Sequence, residues 1–265
     1  MPIGIMGILN ASPDSFSGDG ESDPQLLADR GMAMLAMGAT CLDIGGESSA
    51  PFTEPVPEEI VTARVIPVIG ELRRRTDRPI AVDTYHVATA RAAIDAGADI
   101  INDITGLRKA EMIRLVADTG ADVVIMHMQG EPRTMQAKPV YADVVEEVRL
   151  FFEERIRVAG DHGIDPSRII LDPGIGFGKT LEHNLALIRN VDRLRVASCR
   201  MLLGASRKSM IGMILGAPAM ERLEGSLAAV AAGVVSGADM VRVHDVAETH
   251  RFLTVFERIM EAAGT

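Results

Sequence analysis

The chain has 265 residues, 47% of them hydrophobic and 24% charged, a globular composition that excludes intrinsic disorder. Its two cysteines exclude a disulfide framework or a cysteine-rich metal site and point to a reduced, cytoplasmic protein. A formal net charge of −10 argues against nonspecific nucleic-acid binding.

No run reaches the ~18 uninterrupted apolar residues of a membrane span. The stretch 226–240 comes nearest but is broken by Gly233, Ser236, Gly237 and Asp239. The first basic residue is Arg30, so no positively charged secretory leader is expected.

In chain order, an apolar run predicts a strand over 3–9. A helical pattern over 24–37 follows Asp23, a capping residue, and stops at Gly38. A strand over 40–44 leads to a helix over 57–75, with Pro57 in its first turn and arginines in its last. Strand 79–82 then precedes helix 87–96, strand 100–102 precedes helix 110–119, and strand 122–126 precedes helix 141–159. Strand 168–171 with helix 181–191, strand 201–203 with helix 221–236, and strand 240–243 with helix 247–263 complete the series. The strands are apolar at successive positions, as strands buried on both faces are. Gly38, Gly97, Gly120 and Gly237 each separate a helix from the next strand. Strict alternation of strand and helix predicts an α/β fold with right-handed crossovers. The count and length favour a closed (β/α)8 TIM barrel over an open doubly wound sheet. We find no linker, and read residues 1–265 as a single domain.

In such a barrel the active site forms at the C-terminal ends of the strands. Polar residues collect there on every strand: Asn10 and Asp14; Glu47, Ser48 and Ser49; Asp83; Asn102 and Asp103; His127 and Gln129; Asp172; Ser206, Arg207 and Lys208; Arg242, His244 and Asp245. A lone Asp after a strand is most often a helix cap, but a full ring of such residues indicates a functional mouth. Asp83, Asn102, Asp172 and Lys208 could read a flat heterocycle with alternating donors and acceptors. Asn10, Arg242 and His244, on adjacent first and last strands, could hold a phosphate or pyrophosphate.

Other motifs have plainer readings. Pro173–Thr180 looks like a nucleotide-binding loop, but Gly174 stands one residue too close to the Gly-Lys-Thr. It reads better as a Gly-rich turn that lets backbone approach a ligand beside Asp172. His127 lacks a second histidine at i+4 and reads as a structural hydrogen-bonding residue. Ser206 has no convincing His–acid pair in register and is not read as a nucleophile. Arg207 and Lys208 at a helix start call for a compensating anion or ligand. Met32, Leu35 and Met37 read as core, and Glu146, Glu147, Glu153 and Glu154 as a solvated helix face.

The ordered set of segments resembles the dihydropteroate synthase family of the folate pathway. Met6-Gly7-Ile8-Leu9-Asn10-Ala11-Ser12-Pro13-Asp14-Ser15-Phe16-Ser17 is similar to its opening signature, and Asp43-Ile44-Gly45-Gly46-Glu47-Ser48 to its second. Val82-Asp83-Thr84, Ile101-Asn102-Asp103, His127-Met128-Gln129-Gly130, Leu171-Asp172-Pro173-Gly174-Ile175-Gly176-Phe177, Ser206-Arg207-Lys208-Ser209 and Arg242-Val243-His244-Asp245 continue the series. The resemblance implies a (β/α)8 barrel, usually a homodimer. Such an enzyme joins 6-hydroxymethyl-7,8-dihydropterin diphosphate to 4-aminobenzoate and releases pyrophosphate with help from Mg2+. It implies that Asp83, Asn102, Asp172 and Lys208 bind the pterin in a pocket lined by Ile104, Met126, Phe177 and Gly204. Asn10, Ser49, Arg242 and His244 would hold the diphosphate, with Asn10 near the metal. Ser206, with Phe177 and Lys208, would lie on the aminobenzoate side. Asp83, Lys208, Arg242 and His244 would carry the chemistry, and no nucleic acid or membrane partner is implied.

Where the family usually continues Thr-Arg-Pro-Gly, this chain reads Ser49-Ala50-Pro51-Phe52. Ala50 replaces an arginine that closes over the second substrate, which bears on aminobenzoate affinity and on sulfonamide mimics. The residues Ser17-Gly18-Asp19-Gly20 also depart from the family's usual Ser-Asp-Gly-Gly. Two alternatives remain at this point: a pterin-binding methyltransferase that uses methyltetrahydrofolate, or an altered-specificity or non-catalytic relative of the synthase.

Overall fold

The computed structural model describes residues 2–12, 21–48, 54–131 and 133–262. Eight parallel strands close in sequence order into a barrel: β1 Gly4–Asn10, β2 Cys41–Gly45, β3 Ile80–Asp83, β4 Ile100–Asp103, β5 Asp122–Met126, β6 Ile169–Asp172, β7 Arg200–Leu203 and β8 Met240–Val243. β8 pairs back onto β1, with Gly4 beside Met240 and Gly7 beside Val243. The expected (β/α)8 barrel is therefore the fold.

Side chains alternate along each strand. One set faces inward: Met6, Cys41, Ala81, Ile100, Val124, Ile170, Leu202 and Met240, one from each strand, form a separate apolar cluster inside the barrel. Their neighbours, among them Leu9, Leu42, Ile44, Val82, Ile101, Val123, Ile125, Leu171, Leu203 and Val241, face outward and join the larger core beneath the helices. The strands read as continuous apolar runs because both faces are buried.

The helices are α1 Pro24–Ala36, α2 Glu58–Arg73, α3 Val87–Asp95, α4 Ala110–Thr119, α5 Val144–Asp161, α6 Leu181–Arg189, α7 Val191–Leu194, α8 Ser209–Leu215, α9 Leu223–Val235 and α10 Val246–Ala262. Asp23 caps α1 by accepting from Gln25 N, as its position predicts. Several boundaries differ from the sequence reading for identifiable reasons. α5 starts at Val144 rather than at 141, because the Asp143 side chain accepts from Val145 N and Glu146 N. Tyr141 instead sends its hydroxyl to Gly178 O at 2.8 Å. The pattern over 181–191 splits at Asn190 into α6 and α7. α8 begins at the helix start read at Arg207 and Lys208, but its seven residues are too few for a period to mark its span. Met37, expected in the core, is 49% exposed, whereas Met32 and Leu35 do pack against the core.

Five strands, β1, β2, β3, β4 and β6, run one residue past the apolar pattern, to Asn10, Gly45, Asp83, Asp103 and Asp172. Backbone pairing continues where the side chain turns polar, and these extensions carry the barrel's mouth. No helix among the described residues is long and apolar enough to cross a membrane.

The inner apolar cluster is the plug on which this mouth rests. Leu202 is fully buried within it. Leu202→Ala should cost roughly 2–5 kcal/mol, seen as a lower denaturation midpoint in guanidinium. An unchanged midpoint would mean that the plug does not support the barrel.

Candidate functional site

Two residues beyond each member of the apolar plug, the alternation turns inward again. The positions reached are Ile8, Asp43, Asp83, Asn102, Met126, Asp172, Gly204 and Arg242. The same face that is wholly apolar one layer below here carries three carboxylates, an amide and a guanidinium.

Arg242 organises this layer. Its Nε donates to Asp43 Oδ2 at 2.5 Å and its Nη2 to Asp83 Oδ2 at 2.8 Å. Asn102 Nδ2 donates to the same Asp43 oxygen at 3.0 Å. Asp43 is fully buried, and its Oδ1 has no hydrogen-bond partner among the described residues. Burial pushes the Asp83 carboxyl up to about 7; Arg242 works against that rise, while Asp43 and Glu47 add to it. For Arg242 burial opposes the charge, but Asp43 and Asp83 outweigh it and hold the guanidinium above its ordinary value.

Asp172 and Lys208 form the other side. Burial raises the Asp172 carboxyl; the Lys208 charge and the Gly174 N–H, which Asp172 Oδ1 accepts at 2.7 Å, act in the opposite sense. Lys208 is brought down to about 8 by burial, with Asp172 and Asp83 opposing. Its Nζ donates to Ile175 O and lies 4.7 Å over the Phe177 ring. Gly204 opens space between these groups: a Cβ there would stand 3.6 Å from Asp172 Oδ2 and 3.9 Å from Lys208 Nζ. Beside them Ile104, Met126, Met128, Met135 and Phe177 form an apolar cluster with Tyr85 packed on it.

The loop after β7 is held in a costly conformation. Arg207 has φ +57°, a left-handed backbone in a residue with a side chain. Its guanidinium donates from Nε to Asp245 Oδ2 at 3.0 Å and from Nη2 to Asp245 Oδ1 at 2.5 Å. Its N–H donates to Ser226 Oγ at 3.0 Å, and its carbonyl accepts from Arg222 Nη1 at 2.9 Å. The anion called for by two cations at the start of α8 is thus Asp245 for Arg207, whereas Lys208 turns into the pocket. Ser206 Oγ lies 3.0 Å from His244 Nδ1 and accepts from His244 N at 3.2 Å, so the histidine partner that the sequence reading did not find for Ser206 is present.

One cavity is lined by Asn10, Asp83, Phe177, Gly204, Ser206, Lys208, Arg242 and His244. Asn102, Met126 and Asp172 are buried in the layer beneath it. Ile104 lines an adjoining chamber that shares Glu47, Ser48 and Asp83 with the first. The residues singled out from sequence therefore converge, except Ser49, which with Ala50, Asp14 and 17–20 lies outside the described residues. Other strand-end polar residues face elsewhere, because they alternate with an inward neighbour. Asp103 accepts from Thr105 N at 2.8 Å and Leu107 N at 3.0 Å, bracing its own loop. His127 points to Lys179 Nζ at 3.0 Å, the structural role its motif suggested. Gln129 pairs with the backbone of Val140.

Sequence reading missed Asp43 and the Ile175 carbonyl as parts of the site, whereas Glu47, read as part of the mouth, does lie there. Asp43 was detectable, since Cys41, Asp43 and Gly45 share the inward parity. Glu47 lines the cavity and has its carboxylate 3.2 Å from His86 Nε2 and 3.3 Å from Tyr85 Oη. Among the described residues no group of three or more His, Cys, Asp or Glu side chains could hold a metal ion. Asn10 offers a single neutral amide oxygen, so this donor set does not form a resident metal cage.

The sequence matches the family described as pterin binding enzyme over residues 6–244. It is 42% identical over 259 residues to the dihydropteroate synthase of Escherichia coli K12, covering 97% of this chain and 92% of that protein. The crystal structure of Yersinia pestis dihydropteroate synthase with a sulfonamide drug superposes with a TM-score of 0.95 at 39% identity, covering 98% of this chain and 95% of that one. The Burkholderia cenocepacia dihydropteroate synthase complexed with 7,8-dihydropteroate gives a TM-score of 0.91 at 42% identity, covering 99% and 93%.

The buried carboxylates carry a pH signature. Asp83 should titrate near pH 7 rather than 3.8, read as the carboxyl carbon resonance that disappears in Asp83→Asn. Because the folded value is the higher one, its contribution to stability is full below about pH 4 and is lost as pH rises through about 7. An Asp83 resonance with its midpoint below pH 5 would contradict the burial of this group.

Proposed function

The chain belongs to the pterin binding enzyme family, and we infer from that premise and from the inward polar layer that it is a dihydropteroate synthase. It condenses 6-hydroxymethyl-7,8-dihydropterin diphosphate with 4-aminobenzoate to give 7,8-dihydropteroate and pyrophosphate. The carrying observation is the combination in one pocket of fixed polar groups, an apolar wall and the open space at Gly204. A flat bicyclic ring needs all three: surfaces to lie against, groups that read its edge, and room where a side chain would otherwise stand.

In this reading Asp172 accepts N–H groups of the ring, and Asn102 and Lys208 pair with further polar positions on its edge. Ile104, Met126 and Phe177 cover its faces. Asn10, Ser49 and His244 hold the diphosphate with Arg242. Arg242 Nε and Nη2 are held by Asp43 and Asp83, and the guanidinium's remaining N–H groups would meet the diphosphate. Ser206, with Phe177 and Lys208, lies on the aminobenzoate side.

The amine nitrogen forms a bond to the exocyclic methylene carbon, the C–O bond to the diphosphate breaks with its electron pair leaving on oxygen, and the nitrogen gives up one proton to the departing pyrophosphate or to water. The leaving group is good and the nucleophile neutral, so positioning and charge stabilisation are the main tasks. Positive charge that develops on the ring is opposed by Asp83 and Asp172. Negative charge on the departing group is met by Arg242, Lys208 and His244. No covalent nucleophile is required. Asn10 would be the residue to hold a Mg2+ ion that arrives with the diphosphate, and such an ion would supply charge neutralisation to the leaving group.

A homodimer and a cytoplasmic location belong to the same proposal. The exposed apolar residues Val255, Ile259 and Met260 of α10, with Val235 of α9, suit a second copy. The two cysteines are buried and unpaired, in keeping with a reducing compartment. Inhibition by sulfonamides is expected from mimicry of the amine substrate, in a degree set by Ala50. The methyltetrahydrofolate reading leaves Arg242 and His244 at the mouth without a diphosphate to bind.

The test is pyrophosphate release from the purified protein with Mg2+, dihydropterin diphosphate and 4-aminobenzoate. Turnover is expected, and none at saturating substrates would remove the assignment. Pterin binding without turnover, restored by Ala50→Arg, would favour the altered-specificity relative. Lys208→Ala and Asp172→Asn should each weaken pterin binding by ~1–3 kcal/mol with the fold intact. Wild-type affinity in both, measured by calorimetry, would place the pocket elsewhere.

A further inference from the structure

The segment that imitates a phosphate loop contains a residue the reaction does not use. Lys179 is only 3% exposed. Its Nζ lies 2.9 Å from Phe177 O, 3.2 Å from His127 O and 3.0 Å from His127 Nδ1. These partners match the N–H groups of an amine. His127 is itself buried, with its ring edge-on to Phe151 at 5.0 Å. Burial drives its pKa far down, with Lys179 and Arg108 acting in the same sense, so the imidazole is neutral and Nδ1 can accept.

The His127 peptide is a junction. Its N–H donates to Asp172 O at 2.9 Å, at the end of β6. Its carbonyl takes the Lys179 bond and lies where a Gly174 side chain would stand, 2.0 Å from the Cβ position. Gly174 has φ +67°, so the turn needs glycine there both for its backbone and for this approach. The turn from 173 to 178 then presents Ile175 O to Lys208 Nζ and the Phe177 ring beneath it. An apolar side chain of similar length would fill the space of Lys179 without the cost of burying an amine. What the amine adds is a fixed direction for the turn.

We propose that Lys179 is a positioning residue of the pterin pocket, clamping the 173–178 turn to the His127 peptide and so setting Ile175 O and Phe177 where Lys208 and the ring require them. The proposal rests on the pterin reading above.

The test is calorimetric titration of wild type and Lys179→Met with 6-hydroxymethyl-7,8-dihydropterin diphosphate, well below the melting temperature. The pterin Kd should rise by about tenfold or more, and the KM for 4-aminobenzoate should rise with it, because Phe177 and Lys208 border that substrate as well. His127→Asn should weaken pterin binding less in the Lys179→Met background than in wild type, because the two act through one contact. Should Lys179→Met fail to fold, Lys179→Gln keeps a polar group at the site and is expected to show the same loss of pterin affinity. A lowered melting temperature with wild-type pterin Kd would make Lys179 a stability residue only and overturn the proposal. Absence of pterin binding by the wild-type protein would remove the pterin reading and this proposal with it.

Discussion

Closing parallel strands into a barrel leaves each strand side chain two directions, under the helices or into the barrel, and the choice alternates strictly. That constraint produces the site. In one inward layer the chain places Met6, Cys41, Ala81, Ile100, Val124, Ile170, Leu202 and Met240, which pack as a dry plug. Two residues further on it places Asp43, Asp83, Asn102, Asp172 and Arg242, which helices do not cover and which pair with one another or a ligand. The apolar layer is what makes the polar one a floor rather than a pore.

Collecting carboxylates in a low-dielectric mouth is unfavourable unless a cation binds them. Arg242 does so, joining Asp43 of β2 and Asp83 of β3 from β8. The compensation is partial by design of the geometry: Asp83 and Asp172 remain above their ordinary pKa and Lys208 below its own. Groups in this state respond strongly to a ligand that brings matching donors and acceptors, because little of their interaction energy is screened. Surrounding hydrogen bonds then fix the directions of the charged groups. Arg207 is held in a left-handed backbone by Asp245, Ser226 and Arg222, which leaves Lys208 to turn inward.

The barrel was legible in the sequence because both of its signals are local: β-branched runs short enough to be strands, and glycines that stop helices. The lengths of helices were less so. Whether 141–143 opens α5 depends on Asp143 capping and on Tyr141 finding Gly178, a contact across the fold. Of the site, the motifs named Asp83, Asn102, Asp172, Lys208, Arg242 and His244, and those residues do converge. Asp43 was visible only through parity, whereas Glu47 was named as a strand-end residue and is held by Tyr85 and His86 on the loop after β3. Inclusion of Asp103, His127, Gln129 and Asp245 in the ring came from counting strand ends without following the alternation. The Ile175 carbonyl carries no side-chain signal at all, since any residue supplies one.

The central claim is that the second inward layer is the floor on which a flat ring lies. A crystal structure with bound 6-hydroxymethyl-7,8-dihydropterin diphosphate tests it most directly. The account predicts the ring over Gly204, hydrogen-bonded at its edge to Asn102 and Asp172, with the diphosphate toward Asn10 and His244. A ring bound outside that layer, with Asn102 and Asp172 making no contact to it, would contradict the account.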